Sequence, residues 1–376
     1  MLLKNAVVLN DKFQLEKLDI KVSGDKIEDV GINLSGSEEI DLTGKKVIPG
    51  LIDIHIHGSN GSDACDGTPE ALNTISEYLA DHGITSFCAT TMSLSIDKLN
   101  AIMKNIGDNA GSVKGARIVG INMEGPYFAK SKCGAQDPDV MHSPVVEEVE
   151  GLDKSANGMI KLIDLAPELD GSMDFIKKMS GGKYVLSTAH TSSDYNTAME
   201  AYKNGASHAT HLYNAMTGYT HREPGVVGAV FDSEMKPTAE LICDGVHIHP
   251  AVIRTTFKIL GDDRVVLISD AMSASGMPDG NYELGGSPVI VVDGAARTPG
   301  GALAGSTTNV YQCVKNCVSF GIPFESAVKA ATANPARVIG RQDEIGSIAK
   351  GKRADLLVLD DDMNIEMVII GGKRVK

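Results

Sequence analysis

LIDIHIH, residues 51–57, is an apolar run broken at alternate positions by His55 and His57. A strand has a period of two, so both imidazoles point to one face, which in a closed barrel can be the interior. Thr68 then stands where a helix cap belongs, with Pro69 at the first helical position and Glu70 beside it, and the pattern runs towards Gly83. The same strand-then-helix unit recurs at ITSFCAT (84–90), ARIVGINM (116–123), IKLIDLA (160–166), KYVLSTA (183–189), SHATHL (207–212), TAELICD (238–244) and RVVLISD (264–270). Eight βα units in about 230 residues predict a (β/α)8 TIM-type barrel, whose reactive face is the C-terminal end of the strands.

Outside these units the grammar changes. LLKNAVVLN (2–10), LDIKVSG (18–24) and KIEDVG (26–31), punctuated by Asn10-Asp11 and Gly24-Asp25, read as hairpins. GSIAKGKRADLLVLDDDMNIEMVIIGGKRVK (346–376) returns to strands around a Gly371-Gly372 turn. We therefore expect a small discontinuous β-sandwich-like domain from both termini, residues 1–49 and 346–376, beside a barrel of residues 50–345. PDGNYELGGSPVIVVDGAARTPGGALAGS (278–306) is expected to add a hairpin at the barrel mouth.

Composition narrows the partners. Among 376 residues, 35 basic side chains face 49 acidic ones, a net charge of −14 that disfavours phosphate backbones and anionic membranes. Tryptophan is absent and aromatics make up 5%, which disfavours stacking platforms for single strands. No apolar run approaches ~20 residues and no basic-then-apolar leader stands at the start, so the expectation is a cytoplasmic protein with neither nucleic acid nor membrane as partner. The six cysteines show no framework spacing and read as reduced thiols.

Chemistry collects at the strand ends. His55 and His57 lie on the first strand, Glu124 ends the third, His190 the fifth, His211 the sixth and Asp270 the eighth. A lone His-x-His has a bland explanation in local hydrogen bonding. Six such groups on one rim do not, because burying unpaired carboxylates and imidazoles is costly unless a cation joins them. Imidazole and carboxylate ligands suit Zn²⁺, Fe²⁺ or Mn²⁺, and no thiolate set points to a structural zinc. A bound cation of this kind makes hydroxide available near neutral pH, and a carboxylate must then move the proton. Asp270 is the candidate acid/base, with a metal ligand or a helix cap as its other readings.

IPGLIDIHIHG (48–58), the rim ligands and GSIAKGKRADLLVLD (346–360) resemble the amidohydrolase superfamily over essentially the whole chain. Within it, NMEGPYF (122–128), AHTSSDY (189–195), ATHLYNAM (209–216), REPGVVGAV (222–230), CDGVHIHP (243–250) and SDAMSASG (269–276) are similar to the N-acetylglucosamine-6-phosphate deacetylase family. The resemblance implies removal of an acetyl group from an amino-sugar 6-phosphate, with Glu124, His190 and His211 on the principal metal and Asp270 as acid/base. Some members lack the first-strand histidines and use one ion. Retention of His55 and His57 implies room for two, with Glu124 as the bridge.

For the phosphate end, the resemblance nominates Arg222 and His247, with Asn214 and Ala215 meeting the sugar phosphate. Arginine offers planar bidentate donors to phosphate oxygens. The family's dimers imply a homodimer in which the arginine reaches the neighbouring site. One departure stands out. Where the family places a histidine near the scissile amide, KCGAQDPDV (132–140) has Gln136, which can donate but carries no charge. Either its amide suffices, or His142 substitutes, or the substrate differs. The galactosamine epimer, another N-acyl amine, and a non-catalytic sugar-phosphate sensor stand as alternatives. LIDLAPE (162–168) has no lysine at the end of the fourth strand, which disfavours the carbamylated-lysine branch.

Overall fold

Parallel pairing runs in chain order from Leu51–Ile56 through Ile84–Thr90, Arg117–Glu124, Ile160–Leu165, Val185–Thr188, His208–Ala209 and Thr238–Ile242 to Val265–Ile268. The computed structural model describes residues 1–376. These are the eight strands read from the sequence, and helices cross between them because a parallel partner cannot be reached by a tight turn. The ring closes at its C-terminal rim. Ile56 bridges Ala271 in parallel, the Asp270 N–H donates to the His55 carbonyl and the His57 N–H to the Ala271 carbonyl, both at 2.9 Å.

The fifth and sixth strands are shorter than the apolar runs implied, four and two residues. Their ladder holds only Ser187 opposite His208 and Thr188 opposite Ala209. Beyond it the chain leaves extended geometry, with φ of 42° at His190 and 29° at His211. Asp270 follows the same rule after the eighth strand, at φ 49°. Non-glycine residues in this region cost about 1–3 kcal/mol each and persist only where their surroundings hold them.

The helix Pro69–Asp81 shows how the outer layer is written. Thr68 Oγ1 accepts the Ala71 N–H at 3.2 Å and Pro69 sits at the first turn. Leu72, Ile75 and Leu79 recur on one face and join the barrel core with Ile84 and Phe87. Each such side chain contributes roughly 1.5–3 kcal/mol on burial.

Both chain ends share a second, eight-stranded sheet. Leu2–Leu9 pairs with Leu15–Ser23 and Lys46–Pro49, and Lys46–Pro49 pairs antiparallel with Leu356–Leu359. Strand alternation divides its side chains between two cores. Val8, Val47, Leu356 and Val358 fill a small core of their own, while Leu9, Ile48, Leu357 and Leu359 pack into that of the barrel. No helix is long and apolar enough to cross a membrane.

After the eighth strand, Gly280–Leu284, Ser287–Val292 and Ala295–Arg297 form a three-stranded antiparallel sheet, one strand beyond the expected hairpin. Ala295–Arg297 escaped notice because three residues are too few to show a period. Leu284, Leu303 and Gly305 border the cavity at the barrel mouth.

Candidate metal centre

Six side chains from five strand ends converge in two groups of three, His55/His57/Asp270 and Glu124/His190/His211, the ligand atoms of each lying within 4.8 Å of one another. All six are buried. Glu124 stands between the groups. Its Oε1 is 3.1 Å from His190 Nε2 and 3.2 Å from His211 Nε2, and its Oε2 is 3.3 Å from His57 Nε2. Asp270 Oδ1 lies 3.3 Å from His57 Nε2 and 3.6 Å from His55 Nε2. Gly125 makes the turn after Glu124 possible: at φ 89°, a Cβ there would also strike the Phe128 ring at 2.8 Å. Phe128 in turn stacks on His190 with ring centroids 4.4 Å apart.

The donor set fits a divalent cation. A carbonyl can only accept, so His190 donates Nδ1–H to the Lys132 carbonyl at 2.8 Å, which turns its Nε2 into the cluster. His55 likewise donates Nδ1–H to Glu240 Oε2 at 2.9 Å. Its Nε2 is buried without a hydrogen-bond partner. The Nε2 atoms of His190 and His211 stand 3.1 Å apart, close to the ~3.3 Å between two nitrogens each about 2.0–2.1 Å from a common tetrahedral centre.

The electrostatics follow from burial and crowding. Burial by itself raises the Glu124 carboxyl, but His55 beside it and hydrogen bonds from His190, His211 and His57 hold it well below the usual range. Burial likewise opposes ionisation of Asp270, and the His57 contact lowers it despite that. For His57, burial favours the neutral ring, yet Asp270 and Glu124 push its pKa up to about 10. His55, too, is raised against the effect of burial by Glu240, Glu124 and Asp270, so imidazoles and carboxylates hold one another in the cluster.

A cavity of about 410 Å³ opens onto the cluster. Of the expected substrate contacts, Gln136, Asn214, Ala215 and His247 border it. Gln136 spends its amide on Glu124 Oε2 at 2.6 Å. His247 is held by Asp244, Nδ1 to Oδ2 2.7 Å, and this carboxylate raises its pKa against the effect of burial. Arg222 lies exposed and outside the cavity lining. His142, the alternative to Gln136, is not among the residues bordering the cavity, and its Nε2 lies 3.7 Å from Glu148. A larger cavity of about 650 Å³ lies alongside, bordered by Asp63, Lys98 and Tyr282, without the imidazole cluster.

Sequence reading missed the residues that hold the ligands. Glu240, fully buried, also takes His208 Nε2 at 3.2 Å and the His211 N–H at 3.0 Å. Its signal was available, a lone carboxylate inside the apolar run TAELICD. Lys132 borders the cavity and donates Nζ to the Met216 carbonyl at 3.2 Å. It sits in a loop without periodicity, so nothing in its spacing marked it.

Comparison with known proteins places these features in context. Residues 46–375 match the amidohydrolase family. N-acetylglucosamine-6-phosphate deacetylase of Vibrio furnissii is 37% identical over 343 residues, 90% of this chain and 85% of that one. N-acetylgalactosamine-6-phosphate deacetylase of Escherichia coli O157:H7 is 34% identical, with 86% of each covered. A mutant N-acetyl-D-glucosamine-6-phosphate deacetylase from Mycobacterium smegmatis, solved with N-acetyl-D-glucosamine-6-phosphate, superposes with a TM-score of 0.94 at 32% identity, covering 100% of this chain and 99% of that one.

Proposed function

Because the chain belongs to the amidohydrolase family, we propose that it is a metal-dependent deacetylase that hydrolyses the acetamide of N-acetylglucosamine 6-phosphate to glucosamine 6-phosphate and acetate. The observation that carries this is the pair of three-residue groups, Glu124/His190/His211 and His55/His57/Asp270, five of whose six residues border one cavity. Glu124, His190 and His211 hold the principal ion, and His55, His57 and Asp270 offer a second place. Imidazole with carboxylate matches Zn²⁺ or Fe²⁺ best and Mn²⁺ next. A cation held there would supply the acidity that lets water ionise near neutral pH and would polarise the acetamide carbonyl.

The side chains do the rest. Asp270, ionised, accepts the proton of the attacking water and delivers it to the amide nitrogen as the C–N bond breaks, leaving acetate and the free amine. Glu240 and the Lys132 carbonyl fix the tautomers of His55 and His190. Asn214, Ala215 and His247 receive the sugar phosphate, and Arg222 reaches the phosphate in the neighbouring subunit of a homodimer. All six cysteines are free, as the reducing cytoplasm would keep them.

The direct test is release of acetate from N-acetylglucosamine 6-phosphate with Zn²⁺, Fe²⁺ or Mn²⁺ supplied. Absence of turnover with all three rejects the assignment, and binding without turnover favours a sensor. The 34% identity to an N-acetylgalactosamine-6-phosphate deacetylase supports a second reading, the galacto epimer, and turnover of the two epimers side by side decides between them.

A further inference from the structure

Gln136 lies in the loop that follows the turn Lys130–Lys132, and it is 5% exposed. Its Oε1 accepts the Ser93 backbone N–H at 2.6 Å, and its Nε2 donates to Glu124 Oε2 at 2.6 Å. Chemistry fixes this orientation. A backbone N–H only donates and an ionised carboxylate only accepts, so the flipped amide would set donor against donor at Ser93 and acceptor against acceptor at Glu124.

The Glu124 carboxylate is therefore divided. Oε1 lies 3.1 and 3.2 Å from His190 and His211 and farther, 3.6 Å, from His55. Oε2, the oxygen that faces His57, is the one Gln136 holds. We propose that Gln136 is a positioning residue that reserves Glu124 for the His190/His211 site and weakens ion binding at the His55/His57/Asp270 site, so that the chain holds one ion tightly and a second one exchangeably. A hydrogen bond takes up one lone pair of Oε2 and fixes the carboxylate plane, which leaves the first-strand site the rings of His55 and His57 and only the Asp270 carboxylate as firm ligands. The inference rests on the assignment of the two clusters as ion sites.

The test is titration of the metal-depleted full chain with Zn²⁺ against a chromophoric chelator, repeated with Co²⁺ by its visible absorption. The wild-type protein is expected to bind two ions with dissociation constants at least about tenfold apart, within the range that neighbours of ligands command. Gln136→Leu and Gln136→Met, each checked by circular dichroism because an unpaired Ser93 N–H costs stability, are expected to tighten the second ion by about tenfold and leave the first unchanged. Two equally tight ions in the wild-type protein would overturn the inference while leaving the site assignment standing. So would an unchanged ratio in a folded variant, or loosening of both ions together. Failure of the wild-type protein to bind any ion would overturn both.

Discussion

His190 Nε2 and His211 Nε2 face each other at 3.1 Å, with Glu124 Oε1 within 3.2 Å of both. Two imidazole nitrogens and a carboxylate oxygen turned to one point form a ready three-ligand set for a cation. Chelation is therefore expected to lower Tm, since an ion at about 100 times its Kd adds roughly 2.7 kcal/mol to the folded state. His211→Ala should lose the ion and with it the chelator effect. A Tm indifferent to chelator in the wild-type protein would remove the cation from this pair.

Asp270→Asn keeps the shape of the side chain and removes the proton acceptor. We expect kcat to fall by about 10²–10⁴-fold, the range for general acid–base catalysis, with KM little changed. Steady-state acetate release measures both. An unchanged kcat would take Asp270 out of the proton transfer.

Glu240 accepts from His55, His208 and the backbone of His211. Glu240→Gln turns one acceptor into a donor and sets it against one of these groups. Metal affinity is expected to drop about 10–100-fold, read as metal content after dialysis. Full retention of metal would reduce Glu240 to a packing role.

His247 is raised against the effect of burial by Asp244, with Asp270 adding to the rise and Arg297 opposing it, and Asp244 is correspondingly lowered. The stabilisation from His247 is complete below the ordinary histidine pKa and is lost as pH climbs through its raised value. That from Asp244 is present above the ordinary aspartate pKa and is lost as pH falls through its lowered value. The pair thus spans neutral pH, and affinity for a phosphorylated substrate should decline on the alkaline side. Asp244→Asn should move that decline to lower pH in a profile of KM. A profile left in place would show that the charge on His247 does not meet the phosphate.

Arg222 is exposed, away from the cavity of its own chain. Arg222→Ala should raise KM for the 6-phosphate by about tenfold or more, the loss of a bidentate arginine–phosphate contact. The unphosphorylated sugar should be unaffected. Equal effects on the two substrates would remove Arg222 from phosphate recognition.

Much of this architecture is legible in the amino-acid sequence alone. Alternation of apolar strands with helix-length segments gives eight strands joined by seven crossovers, and the capping pattern at Thr68 to Glu70 matches the observed helix start. The rim residues stand at the ends of those runs, where a barrel gathers its chemistry. Less legible are the hinges. Val185–Thr188 and His208–Ala209 end early because His190 and His211 turn into the left-handed region, a choice imposed by the cluster that no local propensity announces. Gln136 is legible only in part. By residue type it reads as a donor for substrate, and only the fold shows its amide also joined to Ser93 and Glu124.

The order of elements and the six groups on the rim are properties of the chain, because periodicity and residue type are local and survive in one dimension. Which carboxylate oxygen meets which imidazole, that Glu240 clamps His55 from a strand 185 residues away, and that Gln136 divides Glu124 between two ion sites depend on distances of about 3 Å. Such distances arise only when the barrel closes Ile56 onto Ala271 and brings remote strand ends together.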